Sequence, residues 1–260
     1  MSATVAGAYS ATGAAWEKGP GRIYNRLADV VLGLSPVPVD GRTVLDVGAG
    51  TGAASRAIAR AGGNVIAMDV AFGMLAANRR GRPPSVQADA GRLPFADGRL
   101  GGVVAAFSLN HIPDPVAALR ECARVCAPGA PVVASAYAAD DSHQAKQAVV
   151  DVLAEYGYAP EPWTVALYRD VVPLLADRER CEAAARAAGL EATVRAVRVP
   201  FAELNRDDLV AWRLGMAQHA PFVAGLSSAD REAVRRQAGE ALGDAPPLVR
   251  SILVISAVVG

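Results

Sequence analysis

The chain has 260 residues, room for one large domain or one domain with an inserted cap. With 52% hydrophobic and 20% charged residues it carries a core to bury, which excludes a disordered coil. Its 26 basic and 26 acidic residues cancel, so it lacks the positive excess expected of a protein that holds nucleic acid or an anionic membrane surface.

Residues 1–40 read as an N-terminal helical arm, and residues 1–13 have neither the basic start nor the apolar stretch of a leader. Residues 43–47 form a short apolar run that ends in glycines, the pattern of a buried parallel strand. A helix over 53–61 closes at Gly62-Gly63. Then come a strand over 65–68, a helix over 72–80, and strands over 85–88 and 102–107. A helix over 116–126 stops at Pro128-Gly129, and a strand covers 131–137. This alternation with short connections predicts an α/β fold, a doubly wound parallel sheet with helices on both faces.

After residue 137 the rhythm breaks. Residues 142–156 read as a helix, 160–173 as a proline-interrupted aromatic stretch, 178–188 as a helix and 191–201 as an alternating strand. Residues 207–242 look helical and lead into a closing strand over 251–259. The stretches 140–177 and 202–248 exceed ordinary connections and read as caps over a site. Of the fourteen aromatic residues, seven lie in or beside them, and Tyr9, Trp16 and Tyr24 lie in the arm. Aromatic residues gathered this way suit an apolar ligand pocket.

The longest apolar runs, around 103–109 and 252–259, are strand-length and fall short of the roughly 20 residues that cross a bilayer. Three cysteines give no disulfide framework, and Cys122 and Cys126 read as small core residues. The basic cluster Arg79, Arg80 and Arg82 reads as the solvated end of a helix. A cytoplasmic chain with no membrane and no nucleic-acid partner is expected; the sequence does not set its oligomeric state.

The turn Gly48-Ala49-Gly50-Thr51-Gly52 joins a strand to a helix. Glycines let the backbone turn sharply and let a ligand approach without meeting a Cβ, and the helix start offers unpaired N–H groups. Such turns bind nucleotide-like ligands at the carboxyl end of a sheet. No Gly-Lys-Ser/Thr follows, which excludes a P-loop. Gly48-x-Gly50-x-x-Ala53 also fits a dinucleotide fingerprint, so an NAD-dependent oxidoreductase is an alternative. Asp69 would then accept from the ribose, but Asp46 and Asp89 would have no use.

Those three acids occur in a wider pattern. The stretch 43–137 resembles the class I S-adenosylmethionine-dependent methyltransferases, in particular their small-molecule branch with the ubiquinone/menaquinone-type C-methyltransferases. Asp69-Val70-Ala71-Phe72-Gly73-Met74-Leu75 is similar to the D-x-S-x-x-M-L element, with Ala71 in place of Ser. Asp89-Ala90-Gly91-Arg92-Leu93-Pro94-Phe95 is similar to D-A-x-x-L-P-F. Phe107-Ser108-Leu109-Asn110-His111 resembles the loop after the fourth strand, and the segment from Arg120 to Gly129 resembles R-E-x-x-R-V-L-x-P-G.

The resemblance implies a seven-stranded, mostly parallel sheet with an antiparallel last strand. It implies S-adenosylmethionine as cofactor, S-adenosylhomocysteine as its product, and a small-molecule acceptor, as in secondary metabolism. Asp69 would accept from both ribose hydroxyls, and Asp89 from the adenine amine with the Ala90 N–H on a ring nitrogen. Gly48 and Phe107 carbonyls, with Asp46 behind them, would hold the ammonium. Ala49 and Gly50 belong to the turn, Val70 and Met74 would pack on the adenine, and Tyr9 and Arg22 would meet the methionine carboxylate.

His111, after the fourth strand, is the candidate general base, which is needed only if the acceptor loses a proton during attack. Tyr137, His143, Trp163, Tyr168 and His219 are candidates for the acceptor side. Asp140-Asp141 reads as a solvated turn or helix cap, since a metal-dependent O-methyltransferase would need a further acid where this chain has Ser108-Leu109-Asn110; no metal is expected. A methyltransferase fold that binds the cofactor without transferring a methyl group is the other alternative.

Overall fold

Central strands made of Val, Leu, Ile and Ala, with almost no polar face, must be covered on both sides, and the helices between them do this. The structure, a computed structural model, describes residues 3–77 and 81–260. Arg79 and Arg80 of the basic cluster lie outside the described residues, as does the end of the helix expected over 72–80.

In chain order the elements begin with the arm, α1 (Ala3–Ser10), α2 (Gly13–Lys18) and α3 (Pro20–Leu32), followed by β1 (Thr43–Val47), α4 (Ala53–Arg60), β2 (Asn64–Asp69), α5 (Phe72–Ala76), β3 (Ser85–Gln87), β4 (Gly102–Ala106), α6 (Pro115–Val125) and β5 (Pro131–Tyr137). Then come α7 (Ala145–Glu155), α8 (Pro162–Ala166), α9 (Arg178–Ala187), β6 (Ala192–Phe201), α10 (Arg206–Leu214), α11 (Ala220–Gly225), α12 (Ser228–Leu242) and β7 (Leu248–Val258).

The seven strands stand in the order β3-β2-β1-β4-β5-β7-β6. The pairs from β3 to β5 are parallel, and β7 runs antiparallel to both of its neighbours, β5 and β6. Strand order reverses between β1 and β4, and the carboxyl ends at such a switch point open the crevice where ligands bind.

Alternation along the strands sorts the core. Leu45, Val103, Val132 and Ile255 face α6 and α9, where Leu119, Cys122 and Cys181 are buried. Val44 and Val104 face Ile58 of α4, while Val133, Ile252 and Val254 face α3, α7 and α10. Asp114 starts α6 by accepting from the Ala117 N–H at 2.8 Å.

The long helical stretch expected over 207–242 is three helices. Pro221 stands in the first turn of α11, and the Ser227 side chain caps α12. Arm and caps share one apolar cluster, with Trp16 and Leu27 from the arm, Leu153 and Tyr158 from the first cap, and Val210 and Trp212 from the second. The arm lies directly against α10: a Cβ at Gly19 would come within 2.2 Å of the Ala211 carbonyl oxygen. No helix among the described residues is long and apolar enough to cross a membrane.

Candidate cofactor and acceptor site

At the switch point the chain reverses through three left-handed glycines, Gly48, Gly50 and Gly52, with φ of 70°, 53° and 98°. The first is forced by packing as well as by φ, because a Cβ there would sit 2.3 Å from the Ser108 Cβ. Ser108 in turn donates to the Val47 carbonyl at 2.7 Å. The loops after β1 and β4 are thereby laced together. Phe107, at the end of β4, also adopts a positive φ of 57°, a costly conformation for a residue with a side chain. Its N–H donates to the Ser135 side chain at 3.1 Å, and its ring stacks on Tyr137 at 4.6 Å.

Three carboxylates surround this turn. Asp46 is 1% exposed and accepts from the Ser55 hydroxyl at 2.6 Å. Burial pushes its pKa up to about 6, with the Ser55 hydrogen bond acting the other way. Asp69 accepts from the Ala71 N–H on one oxygen and the Gly50 N–H on the other, both at 2.8 Å. Burial raises its pKa despite those two donors. Each oxygen of an ionised carboxylate has a further lone pair, so the acid is fixed in place yet still able to accept. Asp89 follows β3 and accepts from the Gly91 N–H at 2.8 Å.

All three acids line one cavity, with an empty volume of about 990 Å³ including its mouth. The same wall carries Gly48, Ala49, Gly50, Val70, Met74, Ala90 and Phe107. On the other side stand His111 and the arm residues Tyr9, Trp16 and Tyr24. The chemistry of this set suits a long, hydroxyl-bearing ligand with a cationic end: carboxylates for donors, an apolar flank at Val70 and Met74, and a glycine cradle that a Cβ would fill.

His111 sits in a 3-10 turn, Leu109–His111, with its Nδ1 3.4 Å from the Tyr9 hydroxyl. Burial lowers its pKa to about 4, so the ring is neutral at pH 7.

Arg22 is not brought to this cavity. It is exposed and ion-paired with Asp208 of α10, because its position on α3 faces the second cap. No lysine or arginine lies among the described lining residues.

The acceptor-side candidates separate. Tyr137 lies behind Phe107, half-buried. Tyr168 lies on a π-helical turn, Leu167–Val171, that packs against the His111 turn, and it is 52% exposed. Trp163 is half-buried on α8. His143 is occupied in fastening the start of α7: Nδ1 accepts from the Ala145 N–H at 3.1 Å, which leaves Nε2 to donate to the Pro246 carbonyl at 2.9 Å. His219 is buried in the second cap, with Nδ1 2.7 Å from the Arg213 carbonyl. Burial, seconded by the charge of Arg213, lowers its pKa to about 4. Neither of these histidines lines the cavity.

Two expectations are corrected. Asp141 is no solvated turn: its side chain is buried, and it accepts from Arg250 through both oxygens, at 2.9 and 2.8 Å, and from Lys146 at 2.8 Å. Arg82 is no solvated helix end either, since it donates to the Gly50 and Met74 carbonyls at 3.0 Å each, under the turn. Trp16, Tyr24 and Ser108 were not singled out for the site and line it; only the aromatic content of the arm pointed toward the first two.

Residues 45–134 match the family described as the methyltransferase domain. The match takes in about a third of the chain, 90 of its 260 residues. The chain's sheet and turn have the class I arrangement, and the match covers the strands that build the cavity and ends before the caps. The chain is 39% identical over 129 residues to the demethylmenaquinone methyltransferase of Mycolicibacterium paratuberculosis, an alignment that takes in 50% of this chain and 54% of that one. The chain thus spans about half the length of the curated relatives it matches. Among solved structures, a methyltransferase assigned to an antibiotic biosynthesis pathway of Anabaena variabilis superposes with a TM-score of 0.61 at 16% identity, over 88% of this chain and 96% of that one. Phosphoethanolamine N-methyltransferase 2 of Haemonchus contortus, solved with S-adenosyl-L-methionine, gives 0.55 at 18% identity, over 90% and 52%. At these identities the two structures speak for the fold alone.

Proposed function

We propose that the chain binds S-adenosylmethionine in the cavity at the switch point and transfers its methyl group to a small apolar or aromatic acceptor. The observation that supports this reading best is the convergence of Asp46, Asp69 and Asp89, from three successive strands, on one cavity. The bound cofactor supplies an electrophilic methyl group, so the protein's work is positioning and exclusion of water.

Asp69, fixed by two backbone donors, holds the ribose hydroxyls. Asp89 and the Ala90 N–H take the adenine edge, with Val70 and Met74 against its faces. The Gly48 and Phe107 carbonyls form the corner for the ammonium, with Asp46 behind them. With no cation in the described wall, the carboxylate end meets backbone N–H groups at the start of α4.

Neutral His111 accepts a proton from an acceptor that must lose one, while the Tyr9 hydroxyl orients the ring. Its lowered pKa makes it a weak base, which matches an acceptor that is itself acidic or already nucleophilic. Tyr137, Trp163 and Tyr168 belong to the acceptor side, and the caps over 140–177 and 202–248 set its shape. The acceptor is a small molecule, and the chain works in the cytoplasm.

Mass spectrometry after incubation with S-adenosylmethionine and a panel of small aromatic compounds tests this. The expected result is a product heavier by one CH2, with S-adenosylhomocysteine formed in equal amount. Tight cofactor binding with no methylated product from any compound would instead favour a binding or scaffold role.

A further inference from the structure

Behind Phe107 and Tyr24 the arm and the caps bring together more positive charge than they neutralise. Arg250 lies 3.9 Å from the centre of the Tyr137 ring and 4.9 Å from that of Trp212. Its partner is Asp141, which Lys146 shares. Arg213, the next residue along α10 from Trp212, places its guanidinium carbon 5.1 Å from the centre of that same ring. Arg213 is only 6% exposed, yet its guanidinium makes no hydrogen bond or ion pair among the described residues, and its Nε is shut away without a partner. Arg250 and Lys146 therefore share one carboxylate, and Arg213 has none among the described residues.

A buried, unpaired cation costs stability, so the place of Arg213 matters. Tyr24, Tyr158 and Tyr168 lie within electrostatic range of it. Tyr24 lines the cofactor cavity, and the turn bearing Tyr168 packs against His111. The Tyr137 hydroxyl is buried with Tyr24 beside it but no well-aligned hydrogen bond. His219, which holds the Arg213 carbonyl, is neutral and offers no countercharge. The surroundings are thus aromatic and lack one anion.

We propose that Arg213 binds a carboxylate carried by the methyl acceptor, so that the substrate class is an acidic aromatic metabolite rather than a neutral one. The inference rests on the methyl-transfer reading, which it narrows. A planar guanidinium matches a carboxylate with two parallel N–H donors. Half-exposed Tyr168 and the Tyr24 ring at the cavity accommodate the aromatic body, and the tyrosine hydroxyls complete the anion's hydrogen bonds.

Benzoate is the probe, with benzamide as its neutral isostere and phenyl phosphate as the competing anion. Thermal unfolding of the full chain saturated with S-adenosylhomocysteine, at constant ionic strength, reads binding as a rise in Tm. Benzoate is expected to raise Tm with concentration, and benzamide is not. In Arg213→Met the benzoate affinity drops by about tenfold or more, while the Tm without benzoate does not fall, because an unpaired charge has been removed. Equal responses to benzoate and benzamide in the native chain would overturn the proposal, as would an unchanged benzoate response in the variant. A larger response to phenyl phosphate would overturn the carboxylate assignment. Titration with S-adenosylhomocysteine alone separates the two levels: normal binding with no benzoate effect refutes the acceptor class only, and no binding refutes the methyl-transfer reading beneath it.

Discussion

The two walls of the cavity are built differently. From β1 to β4 the wall is backbone and backbone-held carboxylate: the glycine turn, Asp46 tied to Ser55, and Asp69 tied to Gly50 and Ala71. Opposite it, the arm brings a train of rings, Tyr9 to Trp16 to Tyr24, which meets Phe107 at the edge of the first wall and runs on behind it to Tyr137 and Arg250. The first wall depends on short-range geometry with almost no latitude. The second depends on side chains from distant parts of the chain, which can be exchanged one at a time. A fixed cofactor and a variable acceptor call for that division.

The sharpest way to break the contrast is Gly48→Val. The left-handed φ and a Cβ 2.3 Å from Ser108 act together; overpacking and backbone strain should cost about 3 kcal/mol or more. Denaturant unfolding is expected to show that loss, and titration to show no cofactor binding. Asp69→Ala comes next. It removes charged hydrogen bonds to the ligand and should weaken S-adenosylhomocysteine binding by about 3 kcal/mol, roughly a hundredfold.

Asp46 gives a pH signature. Its folded pKa, about 6, lies above its ordinary value of 3.8. The folded state therefore binds the proton more tightly than the unfolded chain does. This contribution to stability is full below about pH 4 and is lost as pH rises through 6, an effect of about 2–3 kcal/mol. Asp46→Asn should flatten the difference in unfolding free energy between pH 4 and 7 by that amount. Cofactor binding runs the other way, because the ionised carboxylate is the form that favours the ammonium; affinity should rise as pH passes through 6 in the native chain, and less so in the variant. The smallest effect is expected on the aromatic wall. Tyr9→Phe loses only a long, 3.4 Å contact to His111 and should change cofactor affinity by less than about 1 kcal/mol; an effect as large as that of Asp69→Ala would erase the contrast between the walls.

Legibility in the sequence follows the same line. The parallel strands, the glycine turn and the three acids are written in local spacing, because each acid stands at or beside the end of an apolar run. Aliphatic runs and proline-glycine stops were enough to place most elements, with discrepancies of a few residues at their ends. The helical stretch over 207–242 was divided by Pro221 and Ser227, both of which are ordinary helix-start signals.

The misreadings concern groups whose partners are far away in the chain. Asp141 meets Arg250 across 109 positions, so an acid pair that looks like a solvated cap is a buried ion pair. Arg22 faces Asp208 across 186 positions, and His219 is drawn into a cap core by Tyr158 and the Arg213 carbonyl. Local pattern carries no trace of such pairings, since burial of these side chains depends on how the caps dock.

Isothermal titration of the intact chain with S-adenosylhomocysteine, and separately with NAD, tests the central claim most directly. Saturable heat at micromolar concentration with the first ligand and none with the second is the predicted result. Binding of NAD without binding of S-adenosylhomocysteine would contradict it, and the three acids would then need another explanation.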